Sequence, residues 1–168
     1  MNKILIAFLL ALPMFSVADP APFGLEIGKA TIKDVKEKYH AQKTGVNKYR
    51  GGEMYDLSGI DFDGLQKSTA IFSKDGKLLA LLTTLPKNKF DYLLDGLSNK
   101  YQIVSIKTPF VGDKYAKLVD GNTEITLDAP HLSFKMEMNY INKDLWNSYT
   151  AQSKQEQQKK KSSEHSQL

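Results

Sequence analysis

The sequence predicts an α+β fold, an antiparallel sheet with helices packed mainly on one face. Three observations predict it. Two short segments carry apolar residues at helical spacing. Asp-Gly pairs separate strand-like runs, and a late segment alternates apolar with polar residues. The order of helix, strands, helix, strands, helix also admits two related helix-plus-strands halves.

Residues 1–18 read as an export signal. Lys3 supplies a positive start, and Ile4 to Phe15 is apolar. Ser16-Val17-Ala18 puts small residues at the positions a signal peptidase reads, so cleavage is expected after Ala18. The apolar run is shorter than the ~20 residues a membrane-spanning helix needs, so no membrane insertion is expected after cleavage. The chain has no Cys. That excludes a Cys-linked lipid anchor, disulfides and thiolate chemistry. A periplasmic or secreted location follows, with residues 19–150 as one domain and residues 151–168 as a polar, flexible tail. A domain of that size buries roughly 68–70% of its unfolded surface.

The net charge of +4 is mild, and Arg50 is the one arginine. Lysines alternate with acids as on a solvated surface, whereas nucleic-acid binders cluster Lys and Arg on one face. Nucleic acid is therefore not an expected partner.

The first helix is expected over Thr31 to about Ala41, where Ile32, Val35 and Tyr39 share a face. The stretch before it, Phe23 to Thr31 (FGLEIGKAT), resembles a phosphate-binding loop. The motif needs four residues between its glycines and a hydroxyl after the lysine. Here three residues separate Gly24 from Gly28, and Ala30 stands where the hydroxyl belongs. Thr31 instead reads as a helix N-cap answered by Asp34, with Ala30 and Val35 at the staple positions.

Gly45 to Leu57 reads as a strand pair or bulged strand around Gly51-Gly52, and Asp61 to Gly64 as a turn. Leu65 to Ser73 and Lys77 to Leu85 flank Asp75-Gly76, a strong hairpin signal. Leu78 to Leu82 is apolar on both faces and suits a central strand. Phe90, Leu93, Leu94, Leu97 and Tyr101 define the second helix, with Asn88 as its expected cap. Strands follow at about 102–107, 114–119, 123–128 and 132–141, with Asp120-Gly121 at one turn. In the last strand Leu132, Phe134, Met136, Met138 and Tyr140 point one way. Asn142 caps a third helix, with Ile141 and Trp146 as its staple. Lys38-Tyr39 and Lys100-Tyr101 end the first two helices alike, which supports the reading of two halves.

Catalytic and metal signatures are weak. His40, His131 and His165 lack ligand spacing, and Asp61 and Asp63 lack the later ligands of a calcium loop. The serines stand outside any nucleophile-elbow context. Glu124 and Asp128 share a strand face, as solvated acids do, and His131 is the one candidate base. No cofactor, metal or catalytic residue is expected. The candidate partner contacts are Phe110 and Val111, apolar at a loop tip, and Tyr49, Arg50 and Tyr55 around Gly51-Gly52.

The pattern Leu25-x-Ile27-Gly28-x-x-Thr31-x-x-Asp34-Val35 resembles the start of the first helix in small bacterial envelope α+β domains. That group includes the small lipoprotein subunit of the β-barrel assembly machine and the secreted β-lactamase-inhibitor protein. The resemblance implies tandem helix-plus-strands halves and work by binding other proteins without catalysis. This chain lacks the lipoprotein Cys, a Gly-x-Pro after Tyr39, and the inhibitor's disulfide. The partner is thus left open, and no binding residue is carried over. The expected function is a non-enzymatic periplasmic or secreted protein-binding module, such as an inhibitor or immunity protein for an envelope-directed hydrolase. The alternatives are an accessory subunit for envelope assembly or secretion, and an enzyme using His131.

Overall fold

Residues 19–49 and 51–166 are described by the structure, a computed structural model. The expected signal segment and Arg50 lie outside the described residues. Thr31 begins the first helix as the sequence indicates. Its hydroxyl accepts from the Asp34 amide at 3.3 Å, and its own amide donates to Asp34 Oδ2 at 2.7 Å. These bonds close a capping box over α1 (Ile32–Lys38). They also hold the exposed Asp34 carboxyl below its ordinary value, the backbone bond first and the hydroxyl second. Gly28 turns the chain into the cap at φ +81°, and its amide donates to Leu78 O at 2.7 Å. The helix stops earlier than its periodicity suggests. From His40 onward the backbone pairs with Ser58 and its neighbours, and this strand pairing overrides the helical pattern.

Eight antiparallel strands follow: β1 (His40–Val46), β2 (Gly51–Ser58), β3 (Lys67–Ser73), β4 (Leu78–Pro86), β5 (Gln102–Lys107), β6 (Lys114–Asp120), β7 (Thr123–Ala129) and β8 (Lys135–Asn142). The helix α2 (Phe90–Ser98) separates the two sets of four, and α3 (Lys143–His165) ends the chain. The strands form one sheet in the order β1-β2-β3-β4-β8-β7-β6-β5. Each half is therefore a helix followed by a four-strand meander. The last strands of the halves meet at the centre, and the first strands form the two edges.

Tyr39 and Tyr101 occupy equivalent places in this repeat. Their amides close α1 and α2 on Val35 O and Leu97 O, each at 2.9 Å. The two Asp-Gly turns do not correspond. Asp75-Gly76 joins the third and fourth strands of its half, whereas Asp120-Gly121 joins the second and third of the other.

Strand β4 is central, as its two-sided apolar run predicts. One face contributes Leu81 and Leu85 to a core with Val35 of α1, Phe90, Leu93 and Leu97 of α2, Phe72, Leu118, Ile125, Leu127 and Met138. The other face contributes Leu79 and Ala80, which pack with Ile71 and with Leu145 of α3. The helices are thus divided between the faces. A register shift near Leu79, where Phe72 pairs with Leu78 and Ile71 with Ala80, lets Leu78 turn to the first core.

Three local expectations are corrected. Gly51-Gly52 does not form the turn that follows β1, which begins after Val46; it opens β2. There Gly52 is required by close approach, since a Cβ would stand 1.8 Å from Phe72 O. Asn88 does not cap α2. It lies inside a one-turn 3₁₀ segment, Lys87–Lys89, and the residue at the cap is Lys89. Finally, Leu132 and Phe134 precede β8 rather than point inward from it. The Ser133 amide donates to Pro130 O at 3.2 Å, so this segment turns before the alternation begins at Met136. At the far end Asn142 caps α3 by accepting from the Asp144 amide at 3.0 Å. Helix α3 stays helical to His165 with exposed polar residues in its second half, tethered by a 3.3 Å ion pair between Lys48 and Glu156. No helix among the described residues is long and apolar enough to cross a membrane.

Phe72 is fully buried edge-on against Tyr55. Phe72→Ala is therefore expected to lower unfolding free energy by about 3–5 kcal/mol in urea titration, and Thr31→Ala by about 1 kcal/mol. The pH dependence of the second variant follows from the lowered Asp34 carboxyl. Its stabilising effect is present above the unfolded value and disappears as pH falls through the folded one. The gap between Thr31→Ala and wild type should accordingly narrow under acid.

Candidate functional site

In the antiparallel order, β5 and β7 finish where β6 and β8 begin, and β4 finishes there too. Two loops, residues 108–113 and 130–134, therefore meet at one end of the sheet beside the start of α2. Asp113 joins them, with the His131 amide donating to its Oδ1 at 2.7 Å. Lys87 adds a second brace. Its Nζ donates to Pro130 O and to His131 O at 3.0 Å, and its amide donates to Phe134 O at 2.9 Å. The Lys135 amide donates to Ser133 Oγ at 2.9 Å. The backbone of the 130–134 loop is thus held by several bonds, one of them to the Asp113 carboxylate of the neighbouring loop and two from an ammonium group.

The side chains on these loops do the opposite of burying themselves. Phe110 is fully exposed, Phe134 94% and Leu132 93% exposed, and Val111 67%. Single exposed apolar residues are ordinary, but four on two neighbouring loops are a concentration of the kind that marks contact surfaces. Phe134 also borders a shallow groove of about 540 Å³ with Pro86, Asn88, Asp91 and Lys114. Lys114 and Asp91 pair across it at 3.0 Å, and the Lys114 ammonium lies over the Phe90 ring. The groove is therefore apolar in part with one neutralised charge pair.

The structure separates the sequence-predicted contacts. Phe110 and Val111 join the loop patch. Tyr49 lies at the opposite end, in the β1–β2 turn, where its ring meets Tyr149 of α3 at 4.9 Å between centroids. Tyr55 is buried against Phe72, and its hydroxyl donates to Glu53 Oε2 at 2.7 Å, so it belongs to the core. Arg50 lies outside the described residues. Leu132 and Phe134 were hidden in the sequence by an alternation that continues smoothly into β8. The signal that could have found them is Pro130, which breaks the run before Lys135.

The remaining constellations are described by their partners. Glu124 is buried and pairs with Lys117 at 2.6 Å. Asp128 stands opposite Glu137 on β8, and its carboxyl is raised by burial first, then by Glu137 and Asp113. His131 presents its amide to Asp113, while its ring has no hydrogen-bond partner among the described residues. Among those residues no cluster of three His, Asp or Glu is placed to hold a metal ion. On the helical face a groove of about 350 Å³ runs between Phe23, Phe62 and α2, floored by Met138 and Tyr140. Burial pushes the Tyr140 phenol well above its ordinary range, so it remains protonated. Comparison with known family models, curated proteins and solved structures finds no match to this chain.

The Asp113 brace predicts a measurable dynamic effect. Asp113→Ala removes a hydrogen bond to a charged acceptor, worth about 1.5–3 kcal/mol. Hydrogen exchange at the His131 amide should accelerate roughly tenfold to a hundredfold, while amides of β7 and β8 keep their protection.

Proposed function

We propose that this chain is a non-enzymatic protein-binding module of the bacterial envelope, and that its partner docks on the braced loop end. The single observation that carries this reading is the set of Phe110, Val111, Leu132 and Phe134, exposed on two loops joined through Asp113, the second of which has its backbone held by Lys87 and Asp113. A rigid scaffold presenting large apolar side chains loses little conformational freedom on association, which favours protein contact. Aromatic residues at the centre of such a patch are common binding anchors. The export signal read from residues 1–18 supports the envelope location. The tandem helix-plus-strands order and the Gly28 to Val35 pattern support a comparison with small envelope domains that bind proteins. The reading extends to an inhibitor or immunity protein for an envelope-directed hydrolase, which would need one rigid surface and no reacting groups of its own.

Capture from an envelope extract tests this. Immobilised wild-type chain should retain a soluble hydrolase in one-to-one ratio. Phe110→Ser with Phe134→Ser should weaken that retention by roughly 30-fold or more. Their exposure means unfolding free energy should move by no more than about 0.5 kcal/mol. Undiminished retention by the folded double variant would remove the loop end from the interface. A turnover abolished by His131→Ala would replace the binding reading with an enzymatic one, and retention only with membrane complexes would point to an assembly role.

A further inference from the structure

The two edges of the sheet differ in how they are protected. An edge strand presents unpaired main-chain N–H and C=O groups, a template for another strand. Strand β1 is blunted by a register shift between Lys43 and Gly45, and Gln42, Lys43 and Thr44 are exposed along it. Strand β5 has a register shift too, between Ile103 and Ser105, but three of its six residues are large and apolar. All six of its residues are exposed, with Ile103 and Ile106 each at 45% and Val104 at 53%.

The register of β5 shows where these side chains stand. Ile103 pairs with Leu118 and Ile106 with Ala116, both fully buried in the core shared with α1 and α2. Directly paired residues lie on the same face, so the two isoleucines form the open margin of that core. Gln102, Ser105 and Lys107 pair with Val119, Lys117 and Tyr115 and lie on the other face. The irregularity between Ile103 and Ser105 lets two residues three apart share a side.

This arrangement is self-complementary. When two β5 strands run antiparallel about a two-fold axis, Ile103 meets Ile106 of the second copy and Gln102 meets its Lys107. The isoleucines then meet on one face and the Gln102–Lys107 pairs on the other, and no like charges are opposed. We infer that this chain forms a symmetric dimer through β5, joining two eight-stranded sheets into one continuous sheet. Four isoleucines, two from each copy, continue the core across the junction. Because the paired strands point in opposite directions, the loop ends carrying Phe110 and Phe134 face away from each other. The dimer therefore offers two separate docking ends, one per chain. The inference stands on the β5 register and does not depend on what those ends bind.

Light scattering coupled to gel filtration, run on the full exported chain across a dilution series, tests it. The expected mass is twice that of one chain at high concentration, falling to the single-chain mass on dilution. Gln102→Lys sets a lysine against Lys107 at both ends of the junction. It should raise the midpoint concentration roughly tenfold, and adding Lys107→Glu should restore the dimer. These exposed positions leave the core untouched. Ile103→Lys with Ile106→Lys should give a monomer with wild-type circular dichroism. A single-chain mass at every concentration would overturn the inference, and so would a dimer indifferent to Gln102→Lys.

Discussion

The pairing of β4 with β8 is the interaction on which the rest of this structure depends. It runs without a register shift from Ala80 opposite Ile141 to Pro86 opposite Lys135. Helix α2 and strands β5 to β7 all lie between these two strands in sequence, so closing the pair orders a long stretch of chain. Burial on the helical face offsets that entropy, with Leu81, Leu85, Met136, Met138 and Tyr140 all in the core. The buried Thr83 hydroxyl fits the same junction because it donates to Met138 O. Without this seam each half would be a four-strand meander with an exposed apolar edge.

The seam also decides what the surface can do. Joining the halves by their last strands sends both first strands to the margins, which is why β5 carries its isoleucines to an open edge. Antiparallel alternation collects the 108–113 and 130–134 loops at one end, where Asp113 joins them and Lys87 braces the second. Strand β8 runs from the seam directly into the Asn142 cap, and so seats Leu145 on the face opposite α1 and α2. One pairing thus places the braced loops, the open edge and the third helix.

Much of this was legible in the chain because it depends on local chemistry. The Thr31–Asp34 box, the Asn142 cap, the Asp-Gly turns and the helical face of Phe90, Leu93 and Leu97 need only near neighbours to form. The two-sided apolar run of Leu78 to Leu82 also announced a central strand. What stayed hidden was non-local. The sequence of β4 does not show that its other neighbour is β8 rather than a strand of its own half. The end of α1 was misread because pairing of His40 with Ser58 outweighs the helical spacing of Tyr39. Leu132 and Phe134 keep the period of β8 and so looked inward, although the turn at Pro130 takes them off the sheet. Tyr55 looked like a contact residue by type and is core by position, since its strand neighbour and Phe72 enclose it. Phe110 and Val111, by contrast, were recognisable as exposed, because Pro109 and Gly112 leave them no strand to join.

Native-state hydrogen exchange along the seam tests the central claim most directly. If the β4–β8 pairing holds the halves together, the amides of Ala80 to Leu85 and of Met136 to Ile141 exchange only through global unfolding. They should then share one free energy with the best-protected amides of β3 and β7. Contradiction would come from seam amides that exchange at a lower free energy while β1 to β3 and β5 to β7 stay protected, because the halves would then be folding units that merely touch.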